Sequence, residues 1–226
     1  MYRFFVDKKE LNYFILDQSI LNHLKSIRLK INENFICVYE GKFYICSLEN
    51  KKAKIIQLLE EDHEYPHRLI LFAPIIKIKN FEWLIQKATE LGVQEFYPLI
   101  CENTNKKYLE IVKNKLTRFQ EIAKNAAEQS FRNQVMKIFD PINFIDAIEI
   151  KIENKFLAHE KINSNQTGQS SNFNGNIAFF VGPEGGFSDN EVEIAQKNNT
   201  QIISLGKRIL RSETAVIWLI ANVKES

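Results

Sequence analysis

Two glycine-containing turns near the carboxyl end of this 226-residue chain constrain its fold more than any other feature. The first, VGPEGGFS, covers residues 181–188, and the second, LGKRILRSETA, covers residues 205–215. Each follows an apolar strand and leads into a helix. Because glycine tolerates strained dihedral angles and lets a ligand approach the chain closely, this arrangement predicts a ligand site built largely from backbone.

The residues around the two turns predict their own secondary structure. Ile177–Val181 is an apolar run short enough to be a buried strand. Ser188 and Glu191 have the spacing of a capping box, which predicts that a helix begins there. The second turn follows a strand predicted over Ile202–Leu205, and Ser212 suits the cap of the last helix.

Familiar nucleotide and metal motifs are missing from the sequence. Neither turn is a P-loop, which needs lysine and then serine or threonine after its last glycine, and there is no G-x-G-x-x-G. The cysteines are too few and too irregularly spaced for a zinc site or a disulfide framework, so we interpret them as buried thiols. The histidines lack metal-binding spacing as well, and no metal is expected. The residues concerned are Cys37, Cys46, Cys101, His23, His63, His67 and His159.

Charge gives local rather than global information about partners. The net charge of +2 argues neither for nor against a nucleic-acid partner. Residues 105–137 carry eight lysines and arginines against three glutamates, which is typical of a solvated helix face and also suits a surface that faces phosphates. No apolar stretch is long enough to cross a bilayer and the first residues lack a signal peptide, so a cytoplasmic protein is expected.

A change of composition near residues 60–68 is the best candidate for a domain boundary. Before it, the apolar runs Phe35–Tyr39 and Phe43–Leu48 are separated by a turn and predict a hairpin. Short runs of this kind predict that residues 1–67 form a small, mostly β domain, which we expect to be a barrel.

The pattern after the boundary is an alternation of strand and helix. Leu69–Ala73 and Phe96–Leu99 have the character of strands, and Asn80 suits the cap of a helix over Phe81–Leu91. A β-α-β alternation predicts an α/β domain over residues 68–226, with a parallel sheet covered by helices.

Two further segments follow from periodicity and composition. Apolar residues at helical spacing predict one long helix over Tyr108–Ser130. The polar segment Lys161–Gly175 is typical of a mobile surface loop.

Taken together, the two turns resemble the signature of the RsmE family of ribosomal RNA methyltransferases, which belongs to the SPOUT superfamily. The resemblance extends upstream to KATELGV at residues 87–93 and to AAEQSFR at residues 126–132. It also includes the opening residues Tyr2–Phe5 and the stretch His23–Leu29, which is similar to the family's H-x-x-x-V-x-R pattern. The resemblance therefore covers nearly the whole chain.

Some positions depart from the family pattern. Phe131 stands where the family often has glycine or an aromatic residue, and Met136 lies where a proline is common. Glu102 is followed by Asn103 rather than by the family's arginine. These departures leave both glycine turns intact.

The resemblance implies a fold, a cofactor and a substrate. The fold is a SPOUT-type parallel sheet with a C-terminal trefoil knot, preceded by a small PUA-like β-barrel that binds RNA. The cofactor is S-adenosylmethionine, and the reaction is methylation of N3 of a uridine in 16S rRNA of the small ribosomal subunit. The resemblance also implies a homodimer with the C-terminal helix near its interface, where Ile217 and Trp218 are candidates.

Site residues carry over only where the motifs match. The cofactor is expected against Val181, Gly182, Pro183, Glu184, Gly185, Gly186, Leu205, Gly206, Ile209, Leu210 and Arg211. RNA contacts are expected from Arg3, Lys25, Arg28, Lys30 and Arg132. Arg211 is the first candidate for stabilising negative charge on the target base, with a structural salt bridge or helix cap as the other interpretation. Glu184 or Glu213 is the candidate general base, and Glu128 is a weaker catalytic candidate.

Two other functions remain open from the sequence. A SPOUT methyltransferase of the same fold can act on a ribose 2′-hydroxyl or on tRNA. From a different class, the chain can be a ribosome assembly factor without catalysis, which has no reason to bind S-adenosylmethionine.

Overall fold

The computed structural model divides the chain into two compact units. The structure describes residues 1–30, 33–160 and 173–224. The N-terminal unit consists of Met1–Glu64 and Lys124–Val135, and the C-terminal unit of Tyr65–Ala123 and Met136–Ser226. Nothing in the composition of the sequence marks the second segment of the N-terminal unit.

The N-terminal unit is built on a six-stranded sheet with the strand order β1-β4-β5-β6-β3-β2. The strands are β1 (Arg3–Phe5), β2 (Lys9–Glu10), β3 (Tyr13–Ile15), β4 (Phe35–Tyr39), β5 (Lys42–Glu49) and β6 (Lys52–Leu59). Helix α1 spans Gln18–Ser26, and its N-cap is Asp17, whose carboxylate accepts a hydrogen bond from the Ile20 amide at 2.7 Å. Buried aromatic and aliphatic side chains of the strands and of α1 form one cluster, and Ile36, Val38 and Phe43 form a second, smaller one.

The predicted hairpin is confirmed. Strands β4 and β5 are antiparallel neighbours, joined by Glu40 and Gly41. Both joining residues have positive φ, 47° and 73°, as a two-residue type I′ turn requires. Glycine adopts the positive φ of the second position at no steric cost because it has no Cβ. Crowding is not the reason for it, since no atom lies within 4 Å of where a Cβ would be.

The C-terminal unit contains a seven-stranded sheet whose main path runs β10-β8-β7-β12-β11-β13, with β9 paired to β8. Every recorded strand pair in it is parallel. The strands are β7 (Leu69–Pro74), β8 (Glu95–Ile100), β9 (Lys137–Ile138), β10 (Ile142–Asn143), β11 (Asn154–Ala158), β12 (Ile177–Val181) and β13 (Gln201–Ile203). The helices are α2 (Ile78–Glu90), α3 (Lys106–Lys113), α4 (Leu116–Gln129), which ends in the N-terminal unit, α5 (Phe144–Ile148), α6 (Asp189–Lys197) and α7 (Ser212–Ala221).

The central strands show why the sheet is parallel and covered on both faces. All residues of β7 and β12 are buried, as expected of strands packed on two sides. Four aromatic rings form a column on one face, with Phe180 against Phe72 at 4.3 Å, Phe72 against Tyr97 at 5.2 Å and Tyr97 against Phe139 at 4.1 Å. The predicted α/β fold is confirmed. The trefoil knot stays a prediction.

Three boundaries differ from the sequence predictions. Helix α2 begins at Ile78 rather than after Asn80, because the Asn80 side chain donates to Glu213 Oε1 at 3.2 Å instead of capping the helix. The long helix predicted over Tyr108–Ser130 is split into α3 and α4. Asn114 ends α3, since its side-chain amide donates to the Glu110 carbonyl at 2.8 Å.

The third difference concerns the predicted loop Lys161–Gly175, most of which lies outside the described residues. Phe173, within that range, is buried rather than exposed. Its ring packs edge-on against Phe156 and Phe179, with centroid distances of 4.9 and 5.0 Å. This end of the segment is therefore part of the core.

Candidate functional site

A cavity of about 360 Å³ lies at the carboxyl ends of β11, β12 and β13. In parallel sheets, ligands commonly bind at this edge. The two glycine turns form most of its wall. The predicted cofactor residues that line it are Val181, Gly182, Pro183, Glu184, Gly186, Leu205, Gly206, Ile209, Leu210 and Arg211. Gly185 is the only predicted cofactor residue that does not line the cavity.

The first turn is tightly folded on itself. The Gly186 amide donates to the Pro183 carbonyl at 2.8 Å, and Gly186 has a φ of +68°. A Cβ at Gly182 would lie 3.2 Å from both the Gly186 backbone and the Phe187 ring. The buried Phe187 ring in turn packs against Phe144 at 5.5 Å. Glycine at 182 is therefore favoured by tight packing and glycine at 186 by backbone conformation.

The loop after β8 holds the first turn in place. Asn103 donates through Nδ2 to the carbonyls of Gly185 and Gly186, at 3.0 and 3.2 Å. In the predicted capping box, which is confirmed, Glu191 Oε2 accepts from the Ser188 amide at 2.8 Å. The other oxygen of the buried Glu191 accepts from the Glu102 amide at 2.9 Å. Glu191 thus links the start of α6 to the loop after β8.

The second turn depends on Gly206, whose φ is +119°. Its carbonyl accepts a hydrogen bond from Ser204 Oγ at 3.2 Å. Leu205 and Leu210 are half-buried, whereas Ile209 is 80% exposed. The turn therefore presents an apolar side chain at the mouth of the cavity.

The start of α7 brings together the proposed catalytic side chains. Arg211, not Ser212, is the N-cap of this helix, and it makes no side-chain capping bond. Arg211 and Glu184 are both exposed on the cavity wall, and neither forms an ion pair within the described part of the chain. Glu213 also lines the cavity, but its carboxylate already accepts from Asn80.

Comparisons with known proteins agree on one family. The model of the RNA methyltransferase domain family matches residues 63–224. The chain is 43% identical, over 98% of both chains, to ribosomal RNA small subunit methyltransferase E of Mesomycoplasma hyopneumoniae (strain 232). The chain belongs to the ribosomal RNA small subunit methyltransferase E (RsmE) family.

Solved structures extend this similarity to three dimensions. The crystal structure of a ribosomal RNA small subunit methyltransferase E from Neisseria gonorrhoeae bound to S-adenosylmethionine matches with a TM-score of 0.86 and 30% identity, covering 98% of this chain and 95% of that one. A methyltransferase structure from Legionella pneumophila with the same bound cofactor gives a TM-score of 0.82 and 27% identity, over 97% and 95% of the two chains. The RsmE fold is therefore present along almost the whole chain.

The cavity of this RsmE family member includes residues that the sequence analysis missed. Ala158, His159 and Glu160 line it from the end of β11. The His159 amide donates to the Ile203 carbonyl at 2.9 Å, which joins this end of β11 to the end of β13, just before the second turn. The apolar run that ends at Ala158 indicates a strand and could have been used to find these residues, because the residues that follow a parallel strand lie at the edge where ligands bind.

Two of the residues predicted to contact RNA instead bind other groups of the N-terminal unit. Arg132 is 3% exposed and pairs with the buried Glu64, with Nη2 and Oε2 at 2.6 Å. Arg3 donates through Nε to the Glu128 carbonyl at 2.6 Å, and its guanidinium lies 3.3 Å from the centroid of the Phe131 ring. The prediction for Arg132 needs correction, because a buried, paired guanidinium is not available to RNA.

The other predicted RNA contacts, Lys25, Arg28 and Lys30, are exposed. Glu128 belongs to the N-terminal unit and is not among the cavity residues. Its carboxylate accepts from the Phe5 amide at 3.1 Å, and burial raises its pKa above the usual range for glutamate. These features indicate a structural role for Glu128.

Phe131 has a backbone conformation that is unusual for a residue with a side chain, and its contacts explain how it is tolerated. It has a φ of +60°, a conformation that glycine adopts more easily. Its ring is held between the Arg3 guanidinium and the rings of Phe43 and His63, at centroid distances of 6.3 and 5.7 Å from the two rings. These contacts offset the backbone cost of placing a side chain there.

The cysteines are buried and unpaired, as predicted. Burial raises the pKa of the Cys101 thiol, with the nearby Glu191 carboxylate adding to the effect. Over residues 1–30, 33–160 and 173–224, no group of three or more His, Cys, Asp or Glu side chains is placed to hold a metal ion. In the same residues, no helix is both long and apolar enough to cross a membrane.

Proposed function

We propose that this chain transfers a methyl group from S-adenosylmethionine to N3 of a uridine in 16S rRNA of the small ribosomal subunit. One observation carries the proposal. The two turns that match the signature of the RsmE family, which lie apart in the sequence, form the wall of one cavity at the carboxyl edge of the parallel sheet. Family membership supplies the class of reaction and substrate.

The cavity residues fit S-adenosylmethionine. A volume of about 360 Å³ is within the range of small-molecule sites. Leu205 and Leu210 offer apolar surface for the faces of an adenine ring, and the glycines of both turns leave backbone groups accessible. Arg211 offers a positive charge for a carboxylate or for a developing anion. When bound, S-adenosylmethionine supplies an electrophilic methyl group.

The chain must also prepare the nucleophile. Uridine N3 carries a proton and attacks only when that proton leaves, which places negative charge on the carbonyl oxygens of the base. Glu184 is the proposed acceptor of the proton, because it is exposed on the cavity wall, whereas Glu213 is already hydrogen-bonded to Asn80. Arg211 is proposed to stabilise the negative charge. The target uridine has to be unpaired or flipped to reach the cavity.

Further parts of the proposal concern the whole protein. We assign RNA binding to the N-terminal unit as a PUA-like barrel, with Lys25, Arg28 and Lys30 as contacts. We also propose a cytoplasmic homodimer with Ile217 and Trp218 near its interface, and a C-terminal segment that forms a trefoil knot. Because contacts to RNA phosphates weaken with salt, RNA binding by the N-terminal unit can be tested by measuring affinity at several salt concentrations.

A methyl-transfer assay with mass spectrometry of the product nucleosides tests the proposal. The wild-type chain should form 3-methyluridine in 16S rRNA, presented either as free RNA or as assembled small subunits. Arg211→Ala should lower kcat about 10²-fold or more if Arg211 stabilises the developing anion. Arg118→Ala is the matched control, because Arg118 lies exposed on α4 in the same unit and pairs with Glu121 at 3.5 Å.

The assay also separates the other functions. A 2′-O-methylated nucleoside, or methylation of tRNA alone, would replace the proposed substrate by another one for the same cofactor. Absence of both methyl transfer and S-adenosylmethionine binding would indicate an assembly factor. Full turnover by Arg211→Ala would remove the assigned role of that residue.

A further inference from the structure

Two exposed cations of the second turn lie beside the cavity without a carboxylate partner. Lys207 and Arg208 lie on the second turn, line the cavity and are exposed. Neither has a carboxylate within ion-pair distance in the described residues. Their backbone positions are set by Gly206 and by the start of α7, so the two charges are displayed next to the cavity.

Two more lysines are brought to the same place by α2. Lys77 and Lys79 are exposed and flank the start of this helix, directly after β7. Asn80, the next residue, donates to Glu213 on the cavity wall at 3.2 Å. This hydrogen bond fixes the first turn of α2 beside the first turn of α7.

A third pair follows the loop after β8. Asn103 is hydrogen-bonded to Gly185 and Gly186 of the first turn, at 3.0 and 3.2 Å. Lys106 and Lys107 begin α3 only a few residues later and are exposed. The Asn105 side chain caps this helix by accepting from the Lys107 amide at 3.0 Å, so the position of both lysines relative to the turn is constrained.

Some other basic residues of the C-terminal unit are neutralised locally. Lys113 pairs with Glu110 at 3.3 Å, and Lys115 pairs with Glu82 at 3.8 Å. The basic run noticed in the sequence therefore divides into a paired part and an unpaired part. In this unit the unpaired part consists of Lys106 and Lys107, which follow the carboxyl end of β8, and of Lys137, which lies at the amino end of β9.

The opposite edge of the sheet has a different charge pattern. At the amino ends of β7, β11 and β12, exposed groups of both signs are mixed, including Arg68, Lys151, Glu149 and Glu153. Arg68 is paired there with Glu95. Among the described residues, the amino edge also carries unpaired cations, Lys137 and Lys151, but they are fewer than those that follow the carboxyl ends of the strands.

We propose that this carboxyl edge is a phosphate-binding surface of the C-terminal unit, which contacts the RNA backbone around the target nucleotide. Its members are Lys77, Lys79, Lys106, Lys107, Lys207 and Arg208. The inference rests on the proposed function and deepens it, since it adds RNA contacts on the unit that carries the cavity. The same edge also carries exposed acids, namely Glu102, Asp146, Glu160, Glu184 and Asp189.

The physical role of such a surface is to position the substrate. Lysine and arginine contacts to phosphates supply affinity that does not depend on sequence and that weakens with salt, because bound counterions are released. Phosphate contacts also fix the register of a nucleic acid without reading its bases. Cations on both sides of the cavity therefore hold the strand while one base enters the cavity.

The test compares two double variants with the wild-type chain. Lys77→Ala/Lys79→Ala and Lys106→Ala/Lys107→Ala each remove two cations of the surface and leave the cavity wall unchanged. The matched control is Lys151→Ala/Lys197→Ala, which removes two exposed lysines of the same unit, one at the amino edge of the sheet and one in the last turn of α6. Binding of 16S rRNA transcript is measured over a range of salt concentrations, with S-adenosylmethionine affinity and steady-state kinetics alongside.

We expect both surface variants to bind the transcript more weakly. The slope of log Kobs against log salt concentration should become shallower by about 0.7 for each phosphate contact removed. The KM for RNA should rise, while kcat at saturating RNA and the affinity for S-adenosylmethionine stay as in the wild type. The control should keep the wild-type slope and KM.

The proposal is overturned if the surface variants keep the wild-type salt slope and KM, or if the control changes them equally. A wild-type chain that fails to methylate rRNA instead contradicts the proposed function. The two failures are distinguishable, because the first is judged only against a wild-type chain that is active.

Discussion

At the scale of single residues, the pair formed by Arg132 and Glu64 shows how a family motif can serve structure rather than substrate binding. Both side chains are nearly fully buried, at 3% and 7% exposure. Glu64 also accepts from the amides of Asn133 and Gln134, at 2.9 and 3.1 Å. The carboxylate therefore organises the segment that returns to the N-terminal unit.

Replacing Arg132 by alanine should destabilise the protein strongly. The change leaves the Glu64 carboxylate buried without its cation, which typically costs about 3–5 kcal/mol. Urea denaturation of Arg132→Ala measures the effect, and Arg118→Ala, which breaks an exposed pair, should cost less than about 1 kcal/mol. Unchanged stability together with weaker RNA binding would restore the original prediction for Arg132.

Asn103 is a second residue whose role is local and testable. Without the side-chain amide of Asn103, the carbonyls of Gly185 and Gly186 lose a hydrogen-bond donor, and the conformation of the first turn is less restricted. Asn103→Ala should weaken S-adenosylmethionine binding severalfold in calorimetry and raise its KM, with kcat little changed. Asn190→Ala, an exposed asparagine of the same unit, is the control. Equal affinities in both variants would contradict a positioning role.

At the scale of elements, the sequence correctly predicted helix ends that depend on residues close together in the chain. The capping box of α6 is correct because Ser188 and Glu191 satisfy each other within one turn. The end of α2 is also correct, since Gly92 has a φ of +87°, and its amide and that of Val93 donate to carbonyls of the last helical turn. Long-range bonds were missed, because no local pattern shows that Asn80 binds Glu213.

The same distinction applies to the candidate site. Both turns were predicted to form the cavity wall, and they do line one cavity. Asn103 and His159 were missed because they reach the site only through the strand order. β11 is a parallel neighbour of both strands that carry the turns, and β8 is separated from β12 by β7 alone. Strand order is a property of the folded sheet and cannot be obtained from periodicity.

A glycine variant tests whether backbone conformation in the second turn matters. Gly206→Ala places a side chain at a φ of +119°, which costs about 1–3 kcal/mol, although no atom lies within 4 Å of the new Cβ. The strain should distort the turn and weaken S-adenosylmethionine binding at least tenfold in calorimetry. Gly41→Ala, at a φ of +73° in the hairpin of the N-terminal unit, should lower stability but keep cofactor affinity.

At the scale of the whole molecule, the N-terminal unit is discontinuous in sequence. The Asn133 side-chain amide donates to the carbonyls of Gly41 and Glu61, both at 2.9 Å, so the returning segment is bonded to the loops of the β-sheet. A boundary near residue 67 therefore does not mark the end of an independent folding unit.

A fragment of residues 1–67 alone should fail to unfold cooperatively. It lacks Arg132 and Asn133, so Glu64 and two carbonyls lose their partners. Joining residues 124–135 to the fragment through a flexible glycine–serine linker should restore a cooperative thermal transition, followed by circular dichroism. A stable fragment of residues 1–67 would contradict this account.

The discontinuity of the N-terminal unit also has a consequence for synthesis. A ribosome synthesises the N-terminal strands before Arg132 and Asn133. The ion pair of Glu64 and the hydrogen bonds of the Gly41 and Glu61 carbonyls therefore form only after those two residues have been made. More than half of the 226 residues must leave the exit tunnel before the earliest-made part can mature. Nascent strands with open edges are thus exposed during elongation, at the stage when edge-to-edge aggregation is most favoured.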